Sequence, residues 1–217
     1  MNKKVIWSYT KGEFVVFDHY YFSILYQYLK SNYILEIPTN FNEIIRLVKN
    51  NFDVIVFNYP EKFFTKNQKE AIHQLFEQGK KIIFLTYYKN EDKSSQIANE
   101  ILEKYGLFIN YDEVTQNQNI HNNDKYLITT KKIDKDLKKD VSKIILPCCS
   151  SIEIKEKQNY KYKILVSSEE NSKVLAAEIM GKGKIIAFGT CVFWDNFSIQ
   201  MYDNFNFVKN LFSYLEH

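Results

Sequence analysis

The first half of the chain alternates short, continuous apolar runs with segments whose apolar residues recur every three or four positions. The runs are rich in Val, Ile, Phe and Tyr and predict strands buried on both faces. Buried strands separated by helices predict a parallel sheet with helices on both sides. We expect strands at residues 3–9, 33–38, 53–60 and 80–88, and helices at 20–32, 42–51, 65–78 and 94–106.

Local signals mark the ends of these helices. Thr65, followed three positions later by Gln68, predicts a capping box at a helix start. Gly79 is placed as the glycine that follows a helix end, and Gly106 ends the fourth helix in the same way. The order of segments predicts an α/β fold with a doubly wound, mostly parallel, flavodoxin-like sheet.

The pattern changes between residues 107 and 180, where short strands are joined by polar segments. This part predicts a β-rich insertion or an extension of the sheet, with strands at 125–130, 143–148, 151–156, 162–168 and 173–180. A core strand at 183–190 and a helix at 203–215 then follow, with an apolar stripe of Phe205, Val208, Leu211, Phe212 and Leu215. We find no internal repeat or linker, so one domain is expected over residues 1–217.

Composition narrows the classes of function. Of 217 residues, 45% are apolar and 25% charged, which is typical of a soluble globular protein. The net charge is only +3, and Arg46 is the only arginine. The densest lysine cluster, residues 131–140, also holds three aspartates, so we interpret it as a solvated surface and expect no nucleic acid partner.

No apolar stretch is long enough for a signal peptide or a membrane span, so we expect a cytoplasmic protein without direct membrane insertion. The three cysteines are Cys148, Cys149 and Cys191. They form no C-x-x-C pair and no zinc-ligand spacing with histidine. We therefore expect neither a metal nor a cofactor.

Two stretches resemble a known group of proteins. Residues 52–86, FDVIVFNYPEKFFTKNQKEAIHQLFEQGKKIIFLT, are similar to the strand–helix–glycine–strand motif of class I glutamine-amidotransferase-like domains. Gly181, Gly183 and Gly189, followed by Asp203-Asn204 and a terminal helix, resemble the non-catalytic branch of that superfamily. This branch includes the ABC-type gliding-auxiliary family and the N-terminal domain of an intraflagellar-transport subunit. The resemblance covers most of the chain.

The resemblance also implies what a catalytic member would need. Its nucleophile elbow, a cysteine flanked by glycines, should follow the strand at 80–86, where this chain has Thr86-Tyr87-Tyr88-Lys89. The superfamily's His-x-Glu pair is also absent, because Glu does not follow two positions after any of His19, His73, His121 and His217. We therefore expect no glutamine hydrolysis by the usual triad.

Polar and aromatic residues follow the predicted parallel strands, and the carboxyl edge of an open α/β sheet is where ligands bind. The candidate crevice comprises Ser8, Asp18, His19, Tyr59, Glu61, Tyr87, Thr190, Cys191, Trp194 and Asp195. Cys191 could be a nucleophile if His19 lay close in space, but we favour a small, buried apolar role. Asp18 is expected to cap a helix, and Asp195-Asn196 to form an Asx turn.

Two functions remain open on the sequence. The first is a non-catalytic protein-interaction module associated with a transport system. Its partner is another protein or a second copy of this chain. The second is sugar-like ligand binding or a hydrolase activity in a pocket where Asp18, His19, Tyr87, Cys191 and Asp195 meet. A broad exposed apolar surface favours the partner, and a deep polar pocket favours the ligand.

Overall fold

The computed structural model describes residues 4–118 and 120–216. Lys3, the first residue of the strand expected at 3–9, and His217 lie outside the described residues, as does Asn119 in a polar segment. The helices are α1 (His19–Asn32), α2 (Phe41–Lys49), α3 (Lys66–Glu77), α4 (Ser94–Leu102) and α5 (Asn204–Tyr214). The strands are β1 (Lys4–Trp7), β2 (Ile34–Glu36), β3 (Val54–Asn58), β4 (Lys81–Leu85), β5 (Leu107–Ile109), β6 (Leu127–Thr130), β7 (Ile144–Pro147), β8 (Ile152–Ile154), β9 (Lys161–Ser167), β10 (Val174–Met180) and β11 (Lys184–Phe188).

Within residues 4–118 and 120–216, seven strands form the central sheet in the order β2-β1-β3-β4-β11-β10-β9. The first five in that order pair in parallel, and β11 lies beside β4 with Ile186 opposite Ile83. Counted among the parallel strands, β11 is the fifth, so their order is that of flavodoxin. The prediction of a doubly wound, mostly parallel, flavodoxin-like α/β fold is confirmed.

Residues 107–180 extend the sheet and also form structure outside it. β9 and β10 join the sheet by antiparallel pairing, β10 against β11 and β9 against β10. β5 pairs with β8, and β6 with β7, in two separate antiparallel ladders. Insertion and sheet extension, which the sequence left as alternatives, are therefore both present.

The parallel strands are buried on both faces, as their continuous apolar sequences predict. On β4, Ile83 belongs to the core under α1 and α5, whereas Ile82 and Phe84 belong to the core under α2, α3 and α4. The predicted stripe on α5 is buried except for Phe205, which is half-buried, and Phe207 is buried as well. Each such side chain contributes about 1.5–3 kcal/mol by its burial.

The predicted ends of α3 are confirmed. The Thr65 hydroxyl accepts a hydrogen bond from the Gln68 backbone amide, and the Gln68 side chain accepts one from the Thr65 amide. Gly79 follows the helix with a φ of +86°, a backbone conformation that costs glycine little.

Gly189 joins the insertion to the carboxyl end of β11. Its carbonyl accepts from the Ser150 amide at 2.9 Å, and its own amide donates to the Leu175 carbonyl at 3.0 Å. A Cβ at this position would overlap the Ser150 carbonyl oxygen and lie 3.0 Å from the Cys149 sulfur. Only glycine allows this approach of the two backbones.

We expect Gly189→Ala to lower the free energy of unfolding by about 3 kcal/mol, because backbone atoms must move to admit the methyl group. Urea denaturation followed by circular dichroism measures this loss. Gly181→Ala is the matched control, since its Cβ would meet side-chain atoms of Phe76 and Tyr160, at 2.8 Å and beyond, and no backbone atom. Equal losses in the two variants would contradict the assigned role of the Gly189–Ser150 contact.

Candidate functional site at the carboxyl edge of the sheet

The candidate residues that follow strands share one edge of the sheet because those strands are parallel. Ser8 and Tyr59 come directly after the carboxyl ends of β1 and β3, and Tyr87 and Thr190 come two residues after the ends of β4 and β11. The Tyr59 and Tyr87 rings lie near each other, with centroids 6.1 Å apart. Burial is the main cause that raises the pKa of both phenols, and the nearby Cys191 adds to it.

Cys191 is fully buried, with 0% of its surface exposed. Burial raises the pKa of its thiol well above the usual value, and the neighbouring Asp195 adds to the shift. A thiol that stays protonated is a poor nucleophile. His19 is exposed at the start of α1, where its ring packs edge-on against Tyr26. The interpretation of Cys191 as a buried apolar residue is therefore confirmed.

Several other candidates are buried within the protein, so the expectation that they line a crevice is wrong. The Ser8 hydroxyl donates to the buried Glu13 carboxylate at 2.6 Å and helps to fix the loop after β1. The Thr190 hydroxyl donates to the Pro147 carbonyl at 2.5 Å. Trp194 packs against Trp7 in the core, with ring centroids 5.1 Å apart. Ser8 and Thr190 thus bond within the fold, and Trp194 packs in the core with its indole nitrogen buried and unbonded, so none of the three faces solvent.

Cys148 is a residue at this edge that the sequence did not single out as a site. It follows β7 with a φ of +49°, is half-buried, and shares a hydrogen bond with Tyr87. A nucleophile elbow also places its residue at a strained turn after a strand, but there a helix follows, whereas here the next element is β8. Burial also raises the pKa of this thiol, and Asp124 and Glu91 add to the rise, so the thiolate is disfavoured.

Asp18 caps α1 as predicted. Its side chain accepts from the Tyr20 amide at 2.9 Å and from the Tyr21 amide at 3.4 Å. This bond satisfies amide groups that have no partner inside the helix. The carboxylate is thus committed to the helix end.

Asp195 and Asn196 form the predicted Asx turn and also hold α1. The Asp195 carboxylate accepts from the Phe197 and Ser198 amides at 3.0 and 2.9 Å. The Asn196 side chain accepts from the Ile24 amide at 3.1 Å and donates to the His19 and Tyr20 carbonyls at 3.0 and 2.8 Å. These bonds replace helical ones where Phe22, with a φ of −135°, kinks α1.

The kinked first turn of α1 supports a row of aromatic side chains, which we call the aromatic row: Tyr59, Phe14, Tyr21, Tyr20 and Phe197. Phe14 stacks between Tyr59 and Tyr21, with centroid distances of 4.7 and 6.1 Å. Tyr21 and Tyr20 both meet the Phe197 ring edge to face, at 6.2 and 5.5 Å. Tyr20 and Phe197 expose 67% and 52% of their surface, whereas Tyr59 exposes only 4%, so the row is open to solvent from Phe14 to Phe197.

Carboxylates lie at the Tyr59 end of the aromatic row. The Tyr59 hydroxyl donates to Asp92 at 2.8 Å. The pKa of Glu61 is raised, first by partial burial and then by the negative charge of Asp92. Sequence reasoning included Tyr59 and Glu61 but missed Asp92, Phe14, Tyr21 and Phe197, because no local pattern shows that these residues converge.

Two cavities lie away from this edge. One of about 800 Å³ opens at the amino edge of the sheet and is lined by Lys4, Tyr33, Asp53, Lys81 and Glu216, among others. Another of about 790 Å³ adjoins the β10–β11 turn near Tyr160 and Lys182.

Among the described residues, no three His, Cys, Asp or Glu side chains group as metal ligands. No helix within those residues has the length and apolar character needed to cross a bilayer.

The pKa of Asp195, raised by burial to about 6, predicts a pH-dependent stability. Between the unfolded value of 3.8 and about 6, the folded protein binds more protons than the unfolded chain. The free energy of unfolding therefore falls as the pH rises through this window, by about 3 kcal/mol from this group. Asp195→Asn keeps an acceptor for the two amides and should remove that decline, as measured by urea denaturation from about pH 4 to pH 8.

Asp203→Asn is the control for this prediction. The pKa of Asp203 is lowered by hydrogen bonds from Ser142, so this variant should instead lose stability above about pH 4. If Asp195→Asn declines with pH as steeply as the parent protein, another group causes the dependence.

Solved structures share this fold. The mmIFT52 N-terminal domain superposes with a TM-score of 0.84 at 15% identity, covering 99% of this chain and 98% of that domain. A putative ThuA-like protein from Bacteroides uniformis has a TM-score of 0.60 at 12% identity, with coverage of 99% and 91%. A cytoplasmic protein from Salmonella typhimurium also has a TM-score of 0.60, at 11% identity, with 98% of both chains covered. At these identities the likeness concerns the fold.

Sequence comparisons define the family. An uncharacterized protein of Aquifex aeolicus is 40% identical over 227 residues, covering 97% of this chain and 93% of the relative. Residues 4–167 match the model of the IFT52 GIFT domain. These matches confirm the part of the resemblance that pointed to an intraflagellar-transport subunit. The chain belongs to the IFT52 GIFT domain family.

Proposed function

We propose that this chain, as a single domain over residues 1–217, is a non-catalytic amidotransferase-like module that binds another protein through the aromatic row. The observation that carries the proposal is the exposure of the stacked rings at the carboxyl edge of the sheet. Exposed, contiguous apolar side chains on a folded protein are typical of interaction surfaces. Aromatic residues are also enriched in the energetically important parts of such surfaces.

The state of the thiols supports a role without catalysis. Burial raises the pKa of Cys148, Cys149 and Cys191, which disfavours the thiolate that a cysteine nucleophile requires. Family membership supports a transport-associated role, because IFT52 is the protein for which the family is described. A partner protein in a transport assembly fits both observations.

The alternative of a sugar-like ligand or a hydrolase predicts a pocket lined by Asp18, His19, Tyr87, Cys191 and Asp195. Cys191 and Asp195 are buried, and Asp18 is engaged in capping α1. The cavities of about 800 and 790 Å³ are lined by other residues. This distribution favours a protein partner over a small ligand at the carboxyl edge.

A photo-crosslinking amino acid at position 20 tests the proposal in cells of the source organism. Tyr20 is the most exposed ring of the aromatic row, so we expect one or a few discrete adducts, identified by mass spectrometry. The matched control is the same amino acid at position 164, since Ile164 is 50% exposed on the edge strand β9, away from the row. Position 164 should not give the same adducts.

Phe14→Ser, combined with the crosslinker at position 20, is the second arm of this experiment. Phe14 is the ring that joins Tyr59 to Tyr21, and its loss should reduce the adducts at least tenfold, as loss of a central aromatic contact does. An adduct with a second copy of the chain would show that the partner is another copy and that the protein forms a homo-oligomer. Identical adducts at both positions, or adducts unaffected by Phe14→Ser in a folded variant, would overturn the proposal.

A further inference from the structure

The aromatic row has a fixed shape in the free protein. The Asn196 side chain makes three hydrogen bonds to the backbone of α1, and the Asn196 amide adds a fourth to the Tyr21 carbonyl. On the other side, the Trp7 indole donates to the Phe14 carbonyl at 2.9 Å, and the Phe14 amide donates to the Asn58 carbonyl at 3.0 Å. A surface held on both sides loses little conformational freedom when a partner binds.

The two ends of the aromatic row differ in charge. At the Tyr59 end lie the carboxylates of Glu61, Glu91 and Asp92, all of which act electrostatically on Tyr59 or on one another. The Lys62 ammonium offsets only part of this negative charge. The other end, formed by Tyr20 and Phe197, presents apolar ring faces and edges. A matching partner therefore has a positive charge at one end and apolar groups at the other.

We propose that the aromatic row binds a short, extended partner segment that places an arginine or lysine at the Tyr59 end and apolar side chains along Phe14, Tyr21 and Phe197. This inference rests on the proposed function and specifies the chemistry of its partner. Successive ring centroids along the row are 4.7, 6.1 and 6.2 Å apart. An extended chain advances about 3.3 Å per residue, so the exposed steps from Phe14 to Phe197 accommodate about four residues at most.

One interaction distinguishes a basic residue at this place. The Tyr59 ring is buried and Phe14 stacks on it, so the faces of these two rings are not open to a cation. The ammonium or guanidinium can instead bond to the carboxylates of Glu61 and Asp92, which are exposed and repel each other in the free protein. Neutral and acidic residues do not gain this interaction.

Selection from a phage library of random seven-residue peptides, with the full chain immobilised, tests the inference. We expect the enriched peptides to carry an arginine or lysine next to apolar residues. A synthetic peptide of the leading sequence, and the same peptide with glutamine in place of its basic residue, are then titrated by fluorescence anisotropy. The basic peptide should bind about tenfold more tightly than the glutamine peptide at low salt.

The double variant Glu61→Gln with Asp92→Asn tests whether these two carboxylates cause the tighter binding of the basic peptide. The amide oxygen introduced at position 92 can still accept from the Tyr59 hydroxyl, so the row should keep its shape. We expect the variant to bind the basic peptide about tenfold more weakly and the glutamine peptide within about twofold of the parent protein. Phe14→Ser should weaken the binding of both peptides. Thermal unfolding verifies that each variant is folded.

The outcomes separate this inference from the proposed function. If the enriched peptides bind through Phe14 but are neutral or acidic, the inferred preference for a basic residue is wrong. The proposed function as a protein-interaction module would still stand. Failure to enrich any peptide would overturn recognition of a short segment, whereas crosslinking at position 20 decides independently whether the row meets a protein. Loss of binding to both peptides in the double variant would also contradict the charge-based recognition.

Discussion

The parallel pairing of β11 with β4 is the constraint on which the rest of the structure depends. β11 returns to the middle of the sheet after the whole 107–180 region, and it becomes the fifth strand of the flavodoxin order. Because β11 is parallel to β4, the loop after it must emerge at the carboxyl edge. That loop carries Cys191, Asp195 and Asn196, so the pairing places Asn196 against α1.

The carboxyl edge is the part of this fold where relatives of other function bind or transform ligands. In this protein most of its polar groups are used internally: Ser8 bonds Glu13, Thr190 bonds Pro147, and Asp18 caps α1. Because these groups bond within the fold, few polar side chains at this edge are free to contact a substrate. The rings from Phe14 to Phe197 remain exposed at this edge, beside the exposed carboxylates of Glu61 and Asp92.

The elements that could be predicted are those whose signals are local. The strands and helices up to Gly106, the capping box at Thr65 and the cap at Asp18 each depend on neighbours within a few positions. The pairing of β9 and β10 with the sheet could not be predicted, because strand patterns alone fit either an insertion or an extension of the sheet. The aromatic row was missed for a similar reason. The positions of Tyr20 and Tyr21 depend on a kink that Asn196, far away in sequence, stabilises.

The contacts of Asn196 also change how α1 opens. The first turn of a helix normally frays, because its amides have no partners within the helix. Here the Ile24 amide and the His19 and Tyr20 carbonyls are bonded to a loop that is fixed by the central strand β11. The start of α1 is therefore tied to the loop after β11, and the exposed rings that it carries share this restraint.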